Sequence, residues 1–390
     1  MKKLLAIILA LMLVLTFAGC GETNDTTENN EPQGWYTQGE IKITKQQVQK
    51  IINGKFTTPK NIIVIIGDGM GPNDITLAEK HADGVYDFGL VLNQIKNHGL
   101  ATTHSADNAV TDSAASGTAL ATGVKTNNGF IGKDPNGNDL LNLAEIARAA
   151  GKKVGIITDE VISGATPTAF TIHNDSRSNT AQLINAMIKF KPDVLMGKDY
   201  NSVFMVLEEA EREIFDNEYI VAKDFKRFNN VLDTDKNCEK AFLGFLDGYS
   251  SIPTYNLANC AEVAFNRLKN DKGFFVMIES AGTDKYGHGN DINGKLNSVV
   301  TLDRTVAAAL KFMENNPDTL LIITSDHETG GVRLPSEGEA VTNALFSTSN
   351  HTSTNVKIFA LGYGAEYFNG KTVDNTDIAK FVINAVKGIW

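Results

Sequence analysis

From Lys60 onward, short β-branched runs alternate with longer stretches whose apolar residues recur every three or four positions. That alternation predicts an α/β protein with a mainly parallel central sheet and helices on both faces. The clearest strands fall at 61–66, 153–158, 273–278, 319–324 and 356–361. They are nearly continuous apolar runs, as strands covered on both faces should be. Helices are expected at 140–150, 178–190, 260–270, 296–314 and 377–387. The stretch at about 197–256 is more polar and aromatic, and reads as a small inserted cap rather than sheet core. The rest of 41–390 reads as one domain.

Polar residues interrupt this pattern at informative places. Asp68, Glu279 and the pair Asp326–His327 each stand at the end of an apolar run. In open α/β sheets the carboxyl ends of the strands form the ligand-binding rim, so distant parts of the chain deliver metal-type ligands to one edge.

Residues 1–19 read as a signal peptide: Lys2 and Lys3, an apolar run over 4–17, then Ala18 and Gly19 before Cys20. The run is shorter than the roughly 20 residues of a membrane span. Its small-small-Cys ending resembles a bacterial lipoprotein box, in which Cys20 would carry the lipid. An ordinary signal with an incidental cysteine is the alternative. Residues 20–40, rich in Thr, Asn and Glu, suit a flexible tether. The expected location is the outer face of the bacterial cell membrane, held by the lipid on Cys20 alone, or the periplasm or medium if the anchor is absent.

With 36 basic and 46 acidic side chains and no Lys/Arg run, the chain has no nucleic-acid footprint. An acidic protein handling an anionic substrate must create positive field locally, through bound cations or one placed Arg. Cys238 and Cys260 remain after Cys20, and spacing does not decide whether they pair. Two cysteines so far apart argue against a thiolate zinc cluster, which leaves His and carboxylates as metal ligands.

Five segments carry candidate chemistry. Asp68 lies in Gly67-Asp68-Gly69-Met70-Gly71, where glycines admit a close ion, although Asp and Gly also build ordinary turns. Ser113, in Thr111-Asp112-Ser113-Ala114-Ala115, opens a helix-compatible run; its hydroxyl would face free amides that favour phosphate, or the pair is simply an N-cap. Glu279, Asp284 and His288 form a third group, with Asp284 and His288 on one helical face. The same spacing also suits a solvated surface pair. Asp326–His327 and the isolated His351 complete the set. His81, His98, His104 and His173 read as structural or surface histidines.

In this order, Asp68-Gly-Met-Gly, Thr-Asp112-Ser113-Ala-Ala, Ala165-Thr166-Pro167, Arg177, Glu279 with Asp284 and His288, Asp326–His327 and His351 resemble the alkaline phosphatase family, from about residue 60 to 351. The resemblance implies hydrolysis of small-molecule phosphate monoesters through a phosphorylated Ser113, with two zinc ions and one magnesium ion, in the service of phosphate scavenging outside the cytoplasm. It implies Asp284, His288 and His351 as ligands of the first zinc, and Asp326, His327 and Asp68 as ligands of the second. Asp68, Thr166 and Glu279 would hold magnesium, and Arg177 would grip two phosphate oxygens with a fork that Lys cannot copy. A phosphodiesterase or another phosphotransferase of the superfamily is the alternative, and a binding protein without turnover is a rival from another class. A homodimer is compatible with the sequence but not indicated by it.

One position departs from the family. Some members place Asp or His two residues before the Thr of Ala-Thr-Pro, where it supports the magnesium's water shell; here that residue is Gly164. A weaker third site is therefore expected, by about 10- to 100-fold if the usual cost of losing such support applies. Lys285, beside Asp284, either reaches phosphate through water or lies at the surface.

Overall fold

The structure is a computed structural model and describes residues 40–81, 86–223, 228, 239–246 and 256–389. The expected signal peptide, Cys20 with its expected lipid, and most of the expected tether lie outside these residues, as does Cys238. Cys260 is buried and free. No helix among the described residues is long and apolar enough to cross a membrane.

Twelve strands are seen among the described residues: β1 (Asn61–Gly67), β2 (Asn97–Thr102), β3 (Lys153–Val161), β4 (Val194–Lys198), β5 (Tyr219–Ala222), β6 (Ala241–Phe245), β7 (Phe274–Ser280), β8 (Thr319–Thr324), β9 (Glu328–Thr329), β10 (His351–Thr352), β11 (Val356–Leu361) and β12 (Thr372–Asp374). Ten of them make one sheet in the order β12-β2-β11-β8-β1-β7-β3-β4-β6-β5, and β9 pairs with β10 in a separate ladder. Within the large sheet only β11 runs antiparallel to its neighbours β2 and β8. This is the mainly parallel α/β architecture that the alternating pattern implied.

Period-2 alternation explains how the sheet serves two cores at once. On β1, Ile63 and Ile65 point to one side and join the helices Asn256–Leu268 and Ile292–Glu314. Ile62, Val64 and Ile66 point to the other, towards the helices Leu143–Ala149, Thr180–Phe190 and Asn375–Lys387. Both faces of β1, β7 and β8 are buried throughout, which fixes these three strands as the rigid centre.

The stretch 197–256 departs from its expected role. Its described part adds β5 and β6 to the sheet beyond β4, with the helices Tyr200–Val206 and Glu209–Glu218 beside them. The runs Tyr-Ile-Val-Ala and Ala-Phe-Leu-Gly-Phe extend the sheet where β4 would otherwise present an open edge of unpaired amides.

Candidate active site

β1, β7 and β8 lie side by side in parallel register, with Ile66 level with both Glu279 and Thr324. Parallel neighbours end on the same rim, so Asp68 after β1, Glu279 within β7 and Asp326–His327 after β8 converge. On the far side of β7, Thr158 of β3 is level with Glu279, and its hydroxyl donates to Glu279 Oε2 at 2.5 Å. The turn after β1 needs glycine at 69: its φ is +69°, and a Cβ there would lie 2.7 Å from both Asp284 Cα and Thr329 Oγ1.

Two clusters share this rim. In the first, His288 Nε2 and His351 Nε2 each lie 3.3 Å from Asp284 Oδ1 and 3.2 Å from one another. His288 Nδ1 donates to the Ser349 carbonyl at 2.6 Å and His351 Nδ1 to the Thr111 carbonyl at 2.9 Å. A carbonyl only accepts, so each ring carries a proton on Nδ1, and both Nε2 atoms are turned inward beside a carboxylate. Outward Nδ1–H bonds with inward Nε2 atoms are the arrangement of metal-binding imidazoles. In the second, His327 Nε2 lies 3.2 Å from Asp326 Oδ2 and 3.5 Å from Asp68 Oδ1. His327 stacks on His351 with ring centroids 3.5 Å apart, so the clusters are adjacent. The two-rung ladder of β9 and β10, with His351 opposite Thr329, brings them together.

A third group is made of oxygens alone. Thr166 Oγ1, Glu279 Oε1 and Asp68 Oδ1 are buried without a hydrogen-bond partner, as is Asp326 Oδ2 in the second cluster. Buried polar groups are nearly always satisfied, so four orphans on one rim call for cations. Electrostatics point the same way. Burial pushes Glu279 up to about 8, with Glu160 the next cause. Burial and then the charges of Asp326 and Asp284 raise Asp68 well above the carboxylate range. Asp284 goes the other way: burial raises it, but the hydrogen bond with His351 leads the effects that bring it well below that range. Burial lowers His327 to about 4, so it is a neutral, ligand-competent imidazole. The donors thus fit divalent cations: mixed His and carboxylate in two clusters, hard oxygen in the third.

Ser113 is the first residue of the helix Ser113–Thr122, capped by Asp112, whose carboxylate accepts from Ala115 N. Its Oγ lies 3.1 Å from His327 Nε2, against the second cluster. Asp112 Oδ2 also accepts from Arg177 Nη1 at 3.1 Å. Asp112 is therefore the helix cap, and Ser113 faces the second cluster with a half-exposed guanidinium close by.

The family model for alkaline phosphatase matches residues 59–203 and 235–344. The chain belongs to the alkaline phosphatase family. It is 34% identical over 319 residues to alkaline phosphatase 4 of Bacillus subtilis strain 168, covering 72% of this chain and 64% of that protein. It is 30% identical to the alkaline phosphatase of Escherichia coli K12, covering 90% of this chain and 92% of that one. Among solved structures, alkaline phosphatase from the Antarctic bacterium TAB5 is 27% identical with a TM-score of 0.73, over 85% of this chain and 99% of that one. A cold-active alkaline phosphatase from Shewanella sp. is 25% identical with a TM-score of 0.74, over 84% and 99%. As a member of this family the protein is a phosphatase.

Of the positions singled out in the sequence, Asp68, Glu279, Asp284, His288, Asp326, His327 and His351 meet on this rim, with Thr166 beside Glu279, Ser113 against the second cluster and Arg177 tied to Asp112. The other described histidines do not: His173 bonds the Gly132 carbonyl and Glu145, His81 bonds Asn297, His104 pairs with Asp374, and His98 packs on Phe359. Sequence reasoning missed the supports. Thr329 Oγ1 donates to Asp284 Oδ1 at 2.6 Å. Asp159 Oδ1 accepts from Ala281 N at 2.7 Å, fixing the turn after β7. Lys295, fully buried, donates to the carbonyls of Gly69, Thr283 and Thr329 and pairs with buried Asp74. Lys285 pairs with Glu160.

Proposed function

We propose that this phosphatase hydrolyses phosphate monoesters to an alcohol and inorganic phosphate through a phosphorylated Ser113, outside the cytoplasm, where the phosphate released serves scavenging. The reading assigns Asp284, His288 and His351 to one zinc, and Asp326, His327 and Asp68 to a second. Thr166, Glu279 and Asp68 belong to a magnesium ion, an all-oxygen set that suits a hard cation. A solved variant of the TAB5 enzyme is described with Mg in its M3 site. The observation that carries the reading is the Ser113 hydroxyl, 3.1 Å from His327 Nε2 at a helix N-terminus.

A phosphomonoester is a dianion, and its uncatalysed hydrolysis is among the slowest reactions known. Divalent cations at these clusters supply Lewis-acid stabilisation and lower the pKa of an adjoining oxygen. The chain's own groups do the rest. Ser113 Oγ gives its proton to solvent and forms a bond to phosphorus as the P–O bond to the leaving group breaks, and the departing alkoxide takes a proton from solvent to leave as the alcohol. Water then attacks phosphorus, the Oγ–P bond breaks, and the serine oxygen takes one of that water's protons as inorganic phosphate is released. The amides of the helix N-terminus and the Arg177 guanidinium hold the equatorial oxygens, and Asp112 keeps Arg177 beside Ser113. The oxygen-only cluster built on Thr166 and Glu279 favours the monoesterase over the diesterase reading. Residues 1–20 are assigned to export, with Cys20 as the lipid-bearing residue.

The test compares an aryl phosphate monoester with the corresponding diester on zinc-loaded protein at alkaline pH, with metal content measured on the same sample. Monoester rates far above diester rates, two zincs per chain and a loss of at least about 1,000-fold in Ser113→Ala are expected. Diester rates equal to or above monoester rates, or full turnover in Ser113→Ala, refute the proposal.

A further inference from the structure

The space above Gly164 is filled by another part of the chain. A Cβ built at Gly164 would lie 2.7 Å from Glu160 Oε1. Glu160 reaches this place because the register of β3 against β4 breaks between Ile157 and Val161. Its amide donates to Thr158 Oγ1 at 3.1 Å, and that hydroxyl donates to Glu279. The other carboxylate oxygen, Oε2, pairs with Lys285, directly after Asp284 in the chain. The Glu160 side chain is only 18% exposed. Its charge reaches both Glu279 and Asp68, while Thr166 Oγ1 and Glu279 Oε1 remain buried and unpartnered nearby.

We propose that Glu160 completes the third cation site: its carboxylate, steered by Lys285, holds the water shell of the magnesium ion and does from four residues upstream what Gly164 cannot do. This rests on the reading of Asp68, Thr166 and Glu279 as that ion's ligands. It reverses the expectation of a weakened site, because the support lost at 164 is replaced from β3. It also gives Lys285 a task, that of orienting a carboxylate. A cation ringed by carboxylates keeps several waters, and each needs an acceptor beyond the direct ligands; a half-sheltered carboxylate held by an ammonium is such an acceptor.

The test is titration calorimetry of Mg2+ into zinc-loaded protein, with Mg2+-dependent shifts in melting temperature as a second readout. Glu160→Gln keeps the side chain's size and removes its charge, and is expected to weaken Mg2+ binding by about 10- to 100-fold. Moving the carboxylate back, as Glu160→Ala with Gly164→Asp, is expected to restore affinity. At position 164 the φ is −53°, and with the Glu160 oxygen gone a side chain there would still meet Val161 O at 3.2 Å and Pro167 Cδ at 3.4 Å, a tight fit that a shift of a few tenths of an ångström relieves. Unchanged Mg2+ affinity in Glu160→Gln, or no recovery in the double variant, overturns the inference. Failure of the wild-type protein to take up a third cation would instead sink the reading of Asp68, Thr166 and Glu279 on which it depends.

Discussion

Replacing Lys295 by Met probes how the rim is held together. The ammonium is fully buried on the helix Ile292–Glu314 and donates to the carbonyls of Thr329 (2.8 Å), Gly69 (3.0 Å) and Thr283 (3.3 Å). Each carbonyl belongs to a segment that bears a candidate ligand: Gly69 follows Asp68, Thr283 precedes Asp284, and Thr329 lies two residues past His327. Its counter-ion, Asp74 Oδ2, is 3.0 Å away and equally buried. Methionine fills similar space but leaves Asp74 without its counter-ion, though with the Gly71 amide, and takes a donor from three carbonyls, of which that of Gly69 keeps the Thr329 amide. Removing one partner of a buried pair costs about 3–5 kcal/mol. Burial already raises Asp74 to about 6, against the pull of Lys295, so without the ammonium it takes up a proton and the loss stays near the low end. We expect about 3 kcal/mol at pH 8 by urea unfolding of metal-free protein, less at pH 5, and partial recovery in Lys295→Met with Asp74→Asn. Zinc affinity should fall as well, because three ligand segments lose their common tie. A loss below about 1 kcal/mol, or a double variant no more stable than the single one, would refute this account.

Two further outcomes follow from buried and half-buried charges. Burial raises Asp303 to about 7 although it accepts from the amides of Leu92 and Val91. Its folded value exceeds its unfolded one, so its contribution is complete below about pH 4 and is lost as pH rises to 7, by at most about 4 kcal/mol. The stability of metal-free wild type relative to Asp303→Asn should therefore decline between pH 4 and 7 and level off above; a constant difference across that range would count against it. Arg177→Lys keeps the charge but not the fork, and should raise KM for an aryl phosphate by about tenfold or more. An unchanged KM would show that Arg177 does not grip phosphate.

Some parts of this molecule were legible in its sequence and others were not, for reasons of range. β1, β7, β8 and the residues at their ends could be read because each ligand-bearing motif is local: an apolar run, then a short polar signature. Lys295 could not, because a lysine on an amphipathic helix reads as a solvated face, and its partners lie up to 226 residues away in the chain. Glu160 was hidden by a strand irregularity that no residue pattern marks. β5 and β6 were misjudged because four- and five-residue apolar runs in a polar stretch do not reveal that a sheet edge awaits them.

The small ladder of β9 and β10 separates two tasks. Thr329 and His351 face each other across it, so residues 330–350 leave the rim and return to the same point. The outer part of that excursion, residues 333–344, is largely exposed and can change in length or composition at little entropic expense, while Ser349 at its base still holds His288 and the imidazole of His351 keeps its position.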